Sequence, residues 1–111
     1  MTNLSVIIPL SPKEDCWKNL LEDLELLPED VELLFVYSEG TEPPSCNLSR
    51  KSVRFIPSSP GRAQQLNKGA EEASKTFLWF LHADSRFTHD TVSQLLLSLQ
   101  RAPEAFHYFN L

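Results

Sequence analysis

Several things are scarce in this 111-residue chain, and each scarcity removes a class of protein. Two cysteines, Cys16 and Cys46, are too few for a disulfide framework or a cysteine metal cluster, which points to reduced thiols in a cytoplasmic protein. Basic residues are outnumbered. The 10 Lys and Arg against 15 Asp and Glu leave a net charge of −5 and an isoelectric point near 5.1, the wrong sign for a general nucleic-acid binder. No apolar run approaches the length of a membrane span, so no transmembrane segment is expected. Met1-Thr2-Asn3 lacks the basic region of a secretory leader, and no internal repeat or low-complexity segment is present. Neither Gly-x-Ser-x-Gly nor Gly-Lys-Ser/Thr occurs, which excludes the nucleophile elbow and the Walker-type phosphate loop as patterns. What remains, with 41% hydrophobic and 23% charged residues, is the make-up of one globular domain over residues 1–111, large enough to bury a core.

The apolar patterning alternates strand-like and helix-like stretches. Leu4 to Leu10 is β-branched and apolar and reads as a strand that Pro9 brings to an end, because proline cannot donate to a ladder. Trp17, Leu20, Leu21, Leu24 and Leu27 fall at helical spacing before Pro28, which predicts an amphipathic helix. Val31 to Tyr37 is a second strand, and Val53 to Ile56 a third. Between them, the irregular stretch from Ser38 to Ser49, with Gly40, Pro43 and Pro44, reads as an exposed connection. Thr88 is positioned to cap a helix whose buried stripe is Val92, Leu95, Leu96 and Leu99, and Asp90 favours its positive end. Residues 105–111, rich in aromatics, read as a last strand. Strands separated by helices imply an α/β fold, a mostly parallel sheet flanked by helices.

The chemistry concentrates between Ser58 and Arg86. Ser59 suits an N-cap and Pro60 the first helical position, which would leave Gly61 and Arg62 in a first turn whose free N–H groups favour a phosphate or carboxylate. Ala63, Leu66, Ala70 and Ala73 then form a narrow stripe suited to close packing on a sheet. Gln65 and Asn67 read either as exposed helix polar residues or as partners of a neighbouring loop. Thr76 to Leu81 is a continuous apolar run typical of a strand covered on both faces, and His82-Ala83-Asp84 follows at its carboxyl end, where open α/β sheets place their ligands. Asp84 and His82 are therefore candidate metal ligands, although Asp84 also suits a plain turn and His82 a hydrogen-bonded structural role.

Gly61-Arg62-Ala63, Gln65-Leu66-Asn67, Gly69-Ala70 and Phe80-Leu81-His82-Ala83-Asp84-Ser85-Arg86 together resemble the family 2 glycosyltransferases of GT-A fold, in particular a bacterial subgroup with Leu-His-Ala-Asp in place of Asp-x-Asp. The resemblance implies a Rossmann-like half that binds a nucleotide-sugar donor with a divalent cation, Mg or Mn, for transfer of the sugar to an acceptor. It implies donor-nucleotide contacts at Pro9, Glu14, Glu39, Arg62 and Asn67, with Asp84 and His82 toward the metal. Two turns depart from the family pattern. After the first strand, Ser11-Pro12-Lys13-Glu14 stands where Asn-Glu is common. After the second, Tyr37-Ser38-Glu39-Gly40-Thr41 stands where an aspartate usually holds the base, so Glu39 would substitute, while Tyr37 either stacks on a base or caps the core.

Family members run for about as much chain again, and that further half supplies the acceptor pocket and catalytic base (a length prior). The alternative reading is therefore a catalytically inactive remnant or binding module of the same fold that acts through association. Phe106, Tyr108, Phe109 and Leu111 on a terminal strand would leave an open apolar edge, which implies a homo-oligomer.

Overall fold

The apolar runs become parallel strands, and their order in the sheet decides where a ligand would sit. The computed structural model describes residues 3–10, 17–41, 52–82 and 86–101. Within them the elements run β1 (Leu4–Pro9), α1 (Trp17–Leu24), β2 (Glu32–Ser38), β3 (Val53–Ser58), α2 (Arg62–Glu72), β4 (Phe77–Phe80) and α3 (His89–Arg101). The four strands form one sheet in the order β3-β2-β1-β4, every pairing parallel. The chain begins inside the sheet, moves outward to β2 and β3, and returns through α2 to lay β4 on the other flank of β1. Right-handed crossovers that travel in opposite directions put their helices on opposite faces.

The two faces follow from strand alternation. Val6 and Ile8, Leu33 and Phe35, and Phe77 and Trp79 point to one side, where Leu20 and Leu24 of α1 and Val92 and Leu95 of α3 complete the larger core. Ile7, Leu34, Val36 and Ile56 point to the other, against Leu66, Ala70 and Ala73 around α2. That second layer is thin because α2 lies very close. A Cβ on Gly69 would press against Ile7 Cγ2 and come within 3.2 Å of Val36 Cγ2, so glycine is what lets the helix approach.

Three expectations are corrected at element ends. α1 stops at Leu24 rather than running to Leu27, because Leu26 N–H and Leu27 N–H turn back to the carbonyls of Asp23 and Leu24; Leu27 is still buried. Ser59 does not cap α2 and Pro60 is not in it. The N-cap is Gly61, whose φ of 116° lies where glycine alone is unstrained, and which breaks the helical path until Arg62. The buried face of α2 is Gln65 and Gly69, flanked by Leu66 and Ala70, while Ala63 is exposed. The strand expected over 105–111, and the oligomer edge placed on it, lie outside the described residues.

At the amino end of the sheet, polar groups are used up by one another. Glu32 accepts hydrogen bonds from Ser5 Oγ at 2.8 Å, Ser74 N at 2.9 Å and Ser74 Oγ at 2.8 Å. Lys75 N–H donates to Ser5 Oγ and Thr76 N–H to Asn3 Oδ1. These bonds bind the α2-to-β4 connection to the starts of β1 and β2. Burial by itself would raise the Glu32 pKa, but the Ser74 N–H and the two hydroxyls, aided by the Arg54 charge, outweigh it and hold the carboxyl below its ordinary value.

Candidate functional site

The carboxyl ends of the four parallel strands lie along one edge of the sheet. Two of these strand ends are locked by a single side chain. Gln65, 6% exposed, donates both amide hydrogens, to Leu10 O at 2.7 Å and to Val36 O at 2.8 Å. Leu10 N–H also donates to Val36 O at 2.8 Å, so β1 and β2 stay paired to their tips. The residue that sequence reasoning left between an exposed role and a loop partner is thus a buried partner of two strand ends.

On its other flank β1 loses its neighbour earlier. The last β1–β4 register pair is Ile7 with Phe80, followed by the bond from Leu81 N–H to Ile7 O at 2.9 Å. Pro9, buried, lies beyond that point, where its missing N–H would have faced β4. The sheet therefore opens between β1 and β4, at the reversal in strand order where doubly wound folds form their ligand crevice. Pro9 stands on one side of the opening and half-buried His82 on the other. Glu14 and Asp84 lie outside the described residues, and among the described residues no three His, Cys, Asp or Glu come together as a metal cluster.

A second concavity, about 240 Å³, lies between the ends of β2 and β3 and the side of α2. It brings Glu39 together with Asn67, and adds Ser58, Ser59, Lys68 and Glu71. The bond from Glu39 N–H to Ser58 O at 2.8 Å fixes the turn that presents the Glu39 carboxylate. Thr41 Oγ1 donates to Ser38 O at 2.6 Å and tightens the same turn. Tyr37 is half-buried and packs on the larger core, the arrangement of a core-capping aromatic. Lys68 pairs with Glu72 at 3.6 Å along the helix, and Arg54 reaches Glu72 at 3.0 Å. Arg62 stands apart from this cleft, exposed at the first position of α2.

The exit from β4 carries a contact that no sequence pattern announced. Arg86 Nε and Nη2 donate to Asp23 of α1 at 2.8 and 3.3 Å, and Phe87 N–H donates to Asp23 Oδ2 at 3.0 Å. The Arg86 hydrogen bond holds the Asp23 carboxyl below its ordinary pKa, against the opposing effect of burial, with help from the Phe87 N–H. The partners are 63 and 64 residues apart, and the only available signal was a charged residue on the helix side that α1 turns toward the core.

Among the described residues no helix is long and apolar enough to cross a membrane. No curated protein and no solved structure matches the chain. The family model described as "Glycosyl transferase family 2" matches residues 5–110, which takes in every element of the sheet and both sides of the β1–β4 opening. A parallel sheet ordered β3-β2-β1-β4, helices on both faces and this match together make the chain a member of glycosyl transferase family 2.

Proposed function

We propose that this domain forms the donor side of a sugar-transfer enzyme and holds a nucleoside diphosphate sugar along the carboxyl edge of its sheet. The observation that carries this reading is the opening between β1 and β4, with His82 at its lip and Asp84 two residues further along the chain. Glu39 and Asn67, which share one cleft, are assigned to the base and ribose, and Pro9 and Glu14 to the β1 side of the nucleotide. Arg62 is assigned to the diphosphate, since a guanidinium matches phosphate oxygens in bidentate fashion.

A divalent cation suits this donor set. Mg and Mn are commonly held by one or two carboxylates with substrate phosphates completing the shell, and an imidazole beside the carboxylate favours Mn. His82 and Asp84 would hold it, and when bound it would neutralise charge on the departing diphosphate. In the transfer, an acceptor oxygen bonds to the anomeric carbon, the bond from that carbon to the diphosphate oxygen breaks, and the electron pair leaves with the diphosphate. The acceptor's proton passes to a general base.

Calorimetric titration of UDP and GDP, with and without Mn²⁺, tests the reading. We expect binding that strengthens with Mn²⁺ and loses that increment in Asp84→Ala. Absence of nucleotide binding in the folded protein would overturn it, in favour of a non-catalytic module that acts by association.

A further inference from the structure

The cleft beside α2 is unbalanced in charge. Glu39, directly after β2, lines it together with Asn67, Lys68 and Glu71 of α2. Among the described residues no hydrogen bond or ion pair holds the side chains of Glu39, Asn67 or Glu71, whereas Lys68 is paired with Glu72 at 3.6 Å. Two carboxylates against one ammonium disfavour a diphosphate here and suit a neutral group that offers N–H donors. The turn that carries Glu39 is set on both sides. Its N–H is bonded to Ser58 O at 2.8 Å, and Gly40, at a φ of 87°, turns the chain immediately after it.

The bases differ in what they offer such a cleft. Along its pairing edge guanine presents two adjacent donors, N1–H and the 2-amino group, and one acceptor, O6. Uracil presents a single N3–H between two carbonyl oxygens, and adenine and cytosine each present one amino group beside acceptors. A carboxylate takes both guanine donors at once, in the two-pronged manner in which it takes an arginine fork. Against uracil it meets one donor and repels a carbonyl oxygen.

We infer that this cleft selects guanine, so that the donor is a guanosine diphosphate sugar: the Glu39 carboxylate accepts from N1–H and the 2-amino group, and the Lys68 ammonium donates to O6. The inference rests on the donor-binding reading above and narrows it to one base.

The test is calorimetric titration of the full chain and of Glu39→Gln, in the presence of Mn²⁺, with GDP, inosine diphosphate, xanthosine diphosphate and UDP. Wild type should bind GDP at least about tenfold tighter than UDP, the lower part of the range for a two-pronged contact to a base edge. Inosine diphosphate, which lacks the 2-amino group, should lose most of that advantage. Glu39→Gln replaces one acceptor oxygen with a donor at an exposed position, so Tm should hold. Its GDP affinity should fall by about tenfold, while UDP changes little. It should also gain affinity for xanthosine diphosphate, which carries a carbonyl in place of the 2-amino group. A side chain that only supported the fold could not produce that reversal.

Equal affinity for GDP and UDP, or a preference for UDP, overturns the guanine assignment and leaves the donor reading standing. Inosine diphosphate bound as tightly as GDP also overturns it, since the paired contact would then be absent. A GDP preference that survives Glu39→Gln, with no gain toward xanthosine diphosphate, does the same by moving base recognition away from Glu39. No binding of any of the four nucleotides by the folded wild-type chain overturns both readings.

Discussion

At the amino end of the sheet the carboxylate of Glu32 is surrounded by donors from Ser5 and Ser74, and the neighbouring N–H groups of Lys75 and Thr76 are bonded to side chains of β1 and of Asn3 before it. At the carboxyl end, Gln65 satisfies Leu10 O and Val36 O, and beyond that point Glu39, Asn67 and Arg62 face solvent. Both ends use one buried polar side chain to hold strands together. Among the described residues, Glu39, Asn67 and Arg62 at the carboxyl end lie exposed and outside these networks. The difference separates two uses of polarity in one sheet: groups paired inside the protein hold it together, and groups left facing water at the strand tips are the ones available to a ligand.

The sharpest way to break the comparison is Gln65→Glu. The side chain keeps its shape and exchanges a two-hydrogen donor for an acceptor aimed at two carbonyl oxygens. A buried charge without a partner costs roughly 3–5 kcal/mol, so chemical denaturation at neutral pH should show a loss on that order. Burial raises the carboxyl pKa in the folded state, so the loss should shrink as pH falls and the protonated acid donates one bond again. A loss that is unchanged or grows on acidification would mean that the Gln65 bonds do not hold the two tips.

Glu32→Gln probes the other end and should have a smaller effect. It keeps an acceptor and removes the charge, with an expected cost of about 1.5–3 kcal/mol, typical of hydrogen bonds to a charged group. Because the folded pKa of Glu32 lies below its ordinary value, its contribution is present above the unfolded pKa and lost as pH falls through the folded one. Thermal denaturation should therefore show wild type well above Glu32→Gln at neutral pH, with the gap closing as pH drops below the ordinary glutamate range near about 4.3. A gap that persists in acid would assign the loss to packing instead of charge.

Much of the frame was legible because parallel strands buried on both faces must be apolar throughout. That is why Leu4 to Leu10, Val31 to Tyr37 and Thr76 to Leu81 stand out, and why β1 and β2 match their expected spans to within a residue. Ends were less legible. The apolar spacing of α1 continues to Leu27 because a tight turn can bury a leucine as well as a helix does. Ser59-Pro60 has the composition of a helix start, yet the positive φ of Gly61 sets the boundary. Gln65 resisted reading for a different reason. A polar residue between Ala63 and Leu66 looks solvent-facing until the carbonyls it serves, 55 and 29 residues away, are brought beside it. Asp23 and Arg86 share that difficulty, since partners so far apart leave no periodic trace in one sequence.

The smallest expected effect on stability belongs to Arg62→Ala, and it sharpens the comparison most directly. Arg62 is exposed at the first position of α2, and among the described residues no hydrogen bond or ion pair holds it. Its removal should leave Tm at the wild-type value, as surface substitutions away from caps and networks usually do. On the donor reading it should still weaken UDP binding by about tenfold or more, the worth of a charge-assisted hydrogen bond to phosphate. Uridine, which lacks the diphosphate, should bind wild type and variant alike. Equal weakening for UDP and uridine would move Arg62 away from the phosphates and toward the base. No change for either would remove it from the site, and on the donor reading leave the diphosphate to the cation assigned to His82 and Asp84.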